Sequence, residues 1–155
     1  MKGAAGLSTD QAPPLSVPLR FYLGAPLFAA LAAALLALEG PWALASRWMP
    51  GALAATHLVA LGFLAQVMAG SLFQMLPVVA GAPVPFARPV ATVVHAGLVV
   101  GAVALPLAFI THTPWIMRAA MIALGLAVST LLVSCAVALR RARAALATAS
   151  GIGMA

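Results

Sequence analysis

The chain has 155 residues, of which 65% are hydrophobic and 6% charged, with a net charge of +6 and a mean hydropathy of +1.13. Soluble domains carry about a quarter charged residues, so this composition excludes an ordinary soluble domain and defines an integral membrane protein. The basic residues sit at the ends of apolar segments, where they anchor to lipid headgroups and set topology, so they are no footprint of nucleic acid.

Residues 1–20 are rich in Pro, Gly and Ser, which predicts a flexible cytoplasmic lead-in. The first apolar segment covers 21–38. A signal peptide is the alternative there, because Lys2 and Arg20 precede it and Ala43-Leu44-Ala45 mimics a cleavage site. Its eighteen residues exceed the ~7–15 of a signal core and fit a spanning helix. Glu39-Gly40-Pro41 stops that helix, and Trp42 and Trp48 in the following loop read as an interfacial belt.

Three more helices are expected at 52–79, 87–110 and 115–139, the last two separated by Thr111-His112-Thr113-Pro114. Arg140, Arg141 and Arg143 close the four-helix domain, 21–143, and 144–155 reads as a frayed tail or the start of a further helix. The fold class is an all-α membrane protein, a bundle of four transmembrane helices. Lys2, Arg20, Arg88, Arg140, Arg141 and Arg143 then fall on one side, and Arg47 and Arg118 on the other. That asymmetry places both termini in the cytoplasm, with the bundle in a bacterial inner membrane. Cys135 lies within an apolar run and supports neither a disulfide nor a cysteine metal site.

The second helix holds the candidate site, because His57 is an ionisable side chain inside an apolar span. At 100° per residue, His57, Leu61, Leu64, Met68 and Met75 line one bulky face, suited to a large flat ligand. The methionines alone read more simply as bundle packing. Gly62, Gln66, Ala69 and Gly70 line the opposite, small face, where helices approach closely. Gln66 and Gln74 are expected to tie helices together. Helix three carries Gly97 and Gly101 in a G-x-x-x-G spacing that lets backbones touch.

His95 is expected to bond a backbone carbonyl or a threonine, and ranks only second as a metal ligand. Counting from the helix ends leaves it roughly 20 Å from His57 along the membrane normal, at ~1.5 Å per residue. One iron cannot take both. His112 reads as a solvated loop residue, and Arg88 as an interfacial anchor able to meet a haem propionate or an anionic lipid. At the end of helix two, Pro77 predicts a bend or an early end to hydrogen bonding, with Gly81 reversing the chain.

This stretch resembles the second helix of subunit I of the haem–copper oxidase superfamily. The shared features are His57 near the outer leaflet, Gly70 to Gln74, and Leu76-Pro77-Val78-Val79-Ala80-Gly81-Ala82-Pro83 followed by Pro85-Phe86-Ala87-Arg88. In that family the corresponding histidine is an axial ligand of the low-spin haem, so the resemblance implies haem b bound by His57. It covers about a quarter of the chain. The family's other haem ligands and its copper-binding histidines lie on later helices and have no counterpart here. No complete catalytic site is therefore implied. The family's twelve helices form three pseudo-repeats of four, and this chain resembles one such unit.

Two readings of different classes follow. The first is a b-type haem protein for electron transfer or gas sensing, its second axial ligand supplied by a symmetry-related copy in a homodimer or by another subunit. The second is a cofactor-free structural or assembly subunit that docks on a larger membrane complex through its glycine-rich faces. A small transporter is disfavoured, because no span carries an acidic residue.

Overall fold

The structure, a computed structural model, describes residues 11–152, with side chains as far as Ala144. Among these residues every regular element is helical, with four helices long and apolar enough to cross a membrane. They are α1 (Ser16–Glu39), α2 (Pro50–Ala80), α3 (Ala87–Thr111) and α4 (Pro114–Ile152). A short 3₁₀ turn, Gly40–Leu44, follows α1.

Two boundaries differ from the sequence reading for physical reasons. α1 begins five residues before Phe21, and Val17 and Pro18 are buried in its first turn. A proline there is tolerated, since the N–H it lacks would have no intrahelical partner. Arg20 consequently lies inside the helix rather than ahead of it. At the other end, α4 continues unbroken through 144–152 to Ile152, so this stretch extends the fourth helix. Between Arg143 and Gly151 no proline or glycine intervenes to stop it. Most of the lead-in, residues 1–10, lies outside the described residues.

The helices pack through small residues. Gly62 and Gly70 bring α2 onto α1: a Cβ on Gly62 would overlap the Phe28 ring, and one on Gly70 would sit 3.0 Å from the Phe21 Cβ. Gly97 and Gly101 bring α3 onto α4, where a Cβ on Gly97 would lie 2.8 Å from both the Ala123 carbonyl oxygen and the Ala127 Cβ. The partner of the G-x-x-x-G pattern is thus the next helix of the same chain. A larger cluster around Phe21, Phe73, Val94 and Leu98 fills the end nearer the chain termini, and a smaller one around Phe28, Leu58 and Ala102 fills the other.

The corner after α2 fixes one end of the bundle. Pro77 is buried, and the helix runs on only to Ala80. Gly81 then adopts a left-handed conformation (φ 57°), and the N–H groups of Gly81 and Ala82 both donate to the Leu76 carbonyl. This is a Schellman-type termination, which favours glycine because the conformation carries no Cβ penalty for it. Gly81→Ala should cost about 1–2 kcal/mol from the left-handed backbone alone, since the Cβ itself meets nothing within 4 Å. Thermal unfolding in detergent checks this; an unchanged midpoint would contradict it.

Candidate functional site

His57 ends the regular first segment of α2, Pro50–His57, and a π-helical segment, Leu58–Leu64, begins at the next residue. Its Nδ1–H donates to the Leu53 carbonyl one turn earlier, at 2.7 Å. A carbonyl can only accept, so Nδ1 carries the proton, and in the neutral ring Nε2 is the nitrogen with the lone pair. The half-buried ring lies 5.1 Å from Phe109 of α3, tilted by 47°. Metal-bound imidazoles are commonly oriented in this way, by the other ring nitrogen donating to a backbone carbonyl.

The π segment alters the face expected around His57. One extra residue per turn rotates everything beyond it by about 100° relative to a regular helix. Leu61 stays half-buried and packs against the smaller core cluster. Leu64, Met68 and Met75 instead point outward, with Met68 65% exposed. They do not fill the bundle interior. Gln74 is also exposed and ties nothing together. The small face behaves differently: Gly62, Gln66, Ala69 and Gly70 are all buried.

A second polar cluster, which the sequence reading did not assemble, joins α1, α2 and α3. The His95 Nδ1 lies 3.1 Å from the Gln66 Oε1, so His95 pairs with a side chain on α2 rather than with a backbone carbonyl or a threonine. Its ring meets Phe21 edge-on at 5.2 Å. Arg20 donates from Nη1 to the Thr92 Oγ1 at 2.6 Å, and the Tyr22 and Ser71 hydroxyls are 3.1 Å apart. Gln66 is fully buried, and its Nε2 has no hydrogen-bond partner among the described residues. The available signal was two polar residues in apolar spans, one of them on the small face of its helix.

This pairing also revises the depth of His95. Gln66 lies nine residues after His57, so His57 and His95 are about 13 Å apart along the helix axis at ~1.5 Å per residue. End-counting overestimated the distance because Ala82 and Val84 fold back into the core, which starts α3 deeper than α2 ends. The gap still exceeds the span of one metal ion with bonds of about 2 Å. Arg88 is exposed at the first turn of α3, at the opposite end of the bundle from His57, so the two cannot hold one cofactor between them.

Two clefts flank the His57 end. An outer one of about 380 Å³ is lined by Trp48, Leu53, Phe109, His112 and Met117, and two of these, Leu53 and Phe109, are the partners of His57. His112 is exposed there, in a left-handed conformation (φ 52°) that ends α3. The other, about 610 Å³, lies between α1 and α2 and is lined by Ala29, Ala32, Leu36, Thr56 and Leu64, without His57. Among the described residues no three His, Cys, Asp or Glu side chains form a metal-binding group. A haem needs no such group, because its porphyrin supplies four ligands, and the protein adds one or two axial ones. One chain offers His57 Nε2 and one apolar wall for it. Compared with protein-family models, with curated proteins and with solved structures, the chain gives no match.

Proposed function

We propose that the chain is an integral membrane protein with both termini in the cytoplasm, placed in a bacterial inner membrane, and that it holds haem b through His57. The membrane reading is supported by four long apolar helices whose outer surfaces carry leucine, valine and isoleucine. Its orientation follows from the six-to-two asymmetry of basic residues. A reporter fused after Arg143 should be active only in the cytoplasm, and one inserted beside Trp48 only outside. An external C-terminal reporter would overturn the orientation.

The observation that carries the haem reading is the 2.7 Å bond from His57 Nδ1–H to the Leu53 carbonyl. It fixes the tautomer and leaves Nε2 as the donor atom. The π segment beginning at the next residue adds support, because such segments recur at functional sites. Haem supplies a one-electron centre or a gas-binding iron when bound. The chain's own part is to present one oriented imidazole and to keep water from it with Phe109 and Leu53. Relation to one four-helix unit of haem–copper oxidase subunit I is the origin this reading implies. The second ligand comes from a symmetry-related copy, since no other histidine of the chain reaches the same depth inside a span. The protein purified from haem-replete cells should show a Soret band, and a colourless protein would contradict the reading.

The competing reading, a cofactor-free subunit docking through its glycine faces, has less support from the packing. Gly62 and Gly70 are covered by α1, and Gly97 and Gly101 by α4.

A further inference from the structure

At the end of the bundle that holds the α2–α3 corner, the C-terminal part of α4 is packed against that corner. Ala138 and Ala142, one turn apart, belong to the same core as Ala82 and Val84, and Ala82 and Ala138 are fully buried. This contact holds Arg141 at the rim of a cleft of about 380 Å³ lined by Gln11, Pro83, Val84, Pro85, Arg141 and Ala142. The walls are apolar, while the rim offers one guanidinium and one carboxamide. Such a division of chemistry suits an amphiphile with an anionic head.

Charge at this end points the same way. Arg20, Arg88, Arg140, Arg141 and Arg143 all lie here, and Glu39, the one acid among the described residues, lies at the other end beside Gly51. The sequence's other acid, Asp10, is outside the described residues. Anions must therefore come largely from the surroundings, and a guanidinium can take a phosphate through two parallel hydrogen bonds.

We infer that the cleft between the 81–85 corner and α4 seats the headgroup of one anionic phospholipid, with Arg141 on its phosphate. The inference rests on the membrane reading above but not on haem. It differs from diffuse attraction to an anionic leaflet, which would weigh all the surface arginines alike. In a seated site the arginine at the rim matters and its neighbours do not. Pro83 and Pro85 form the wall beside the lipid's glycerol, and the Gln11 amide adds a donor at the rim.

The test is native mass spectrometry of the full chain, released into detergent from nanodiscs of equal parts palmitoyl-oleoyl phosphatidylglycerol and phosphatidylcholine. The wild type should retain one phosphatidylglycerol per chain and no phosphatidylcholine. Arg141→Gln should lower that retention by about tenfold or more, as expected for losing a charge-assisted bond. Arg141→Lys should restore part of it, and Arg118→Gln, at the far end, should change nothing. Equal losses in Arg140→Gln, Arg141→Gln and Arg143→Gln would overturn the site in favour of diffuse attraction. Displacement of the lipid by millimolar inorganic phosphate would overturn it in favour of a free-phosphate site. Extraction of the protein from membranes by alkaline carbonate would overturn the membrane reading itself. Integral behaviour with no lipid retained would overturn only the site.

Discussion

Gly97→Leu should separate α3 from α4 and cost on the order of 3 kcal/mol, the upper part of the usual overpacking range. The reason is geometric. A Cβ on residue 97 would lie 2.8 Å from the Ala123 carbonyl oxygen and 2.8 Å from the Ala127 Cβ. One neighbour is backbone and the other is the only side-chain carbon of an alanine, so no rotamer change relieves the clash. The helices must move apart, and the contacts around Leu98 and Ala127 loosen with them. Gly125→Leu is the control, since a Cβ there meets nothing within 4 Å. Thermal or denaturant unfolding in detergent should show a large loss for the first variant and little for the second. Equal stability of the two would contradict the packing described.

The second large effect is expected at His57. His57→Ala removes the one imidazole whose Nδ1 is held by a backbone carbonyl inside an apolar helix, and it leaves a cavity beside Phe109. The helix keeps its own backbone bonds, so the fold should survive. Haem in this variant should turn high-spin or be lost on purification. His95→Ala should leave the absorption spectrum nearly unchanged, because His95 lies about 13 Å deeper by residue count. It should instead cost stability, since it strips the partner from Gln66, a fully buried amide with one nitrogen already unpaired. Loss of a hydrogen bond to a buried amide costs about 1–3 kcal/mol. The two histidines thus separate by readout, His57 in the spectrum and His95 in the unfolding curve. A wild-type low-spin spectrum in His57→Ala would reverse the assignment.

Much of the architecture was legible from residue types. Four apolar stretches separated by Glu39-Gly40-Pro41, the 81–86 corner and Thr113-Pro114 mark the four helices, because glycine and proline interrupt helical hydrogen bonding. The small face of α2 was legible too, since Gly62, Gln66, Ala69 and Gly70 recur at helical spacing. The π segment was not. No residue in Leu58–Leu64 announces a π segment, and one added residue per turn is enough to carry Leu64 and Met68 to the outside. The Gln66–His95 pair was hidden for a different reason. Its register depends on how far the 82–84 corner folds back into the core, and that is a property of packing, not of local sequence. α1 began early because Pro18 in a first turn starts a helix as readily as a proline elsewhere stops one.

In the proposed haem reading, His57 coordinates iron between two copies of the chain. The most direct measurement is the reduced-minus-oxidised absorption spectrum of the purified wild type, with haem and protein quantified on the same sample. A low-spin b-type spectrum and one haem for every two chains are expected, because a twofold axis through the iron would use one His57 from each copy. A colourless protein after growth and reconstitution with haem would contradict it, and so would a spectrum that persists unchanged in His57→Ala.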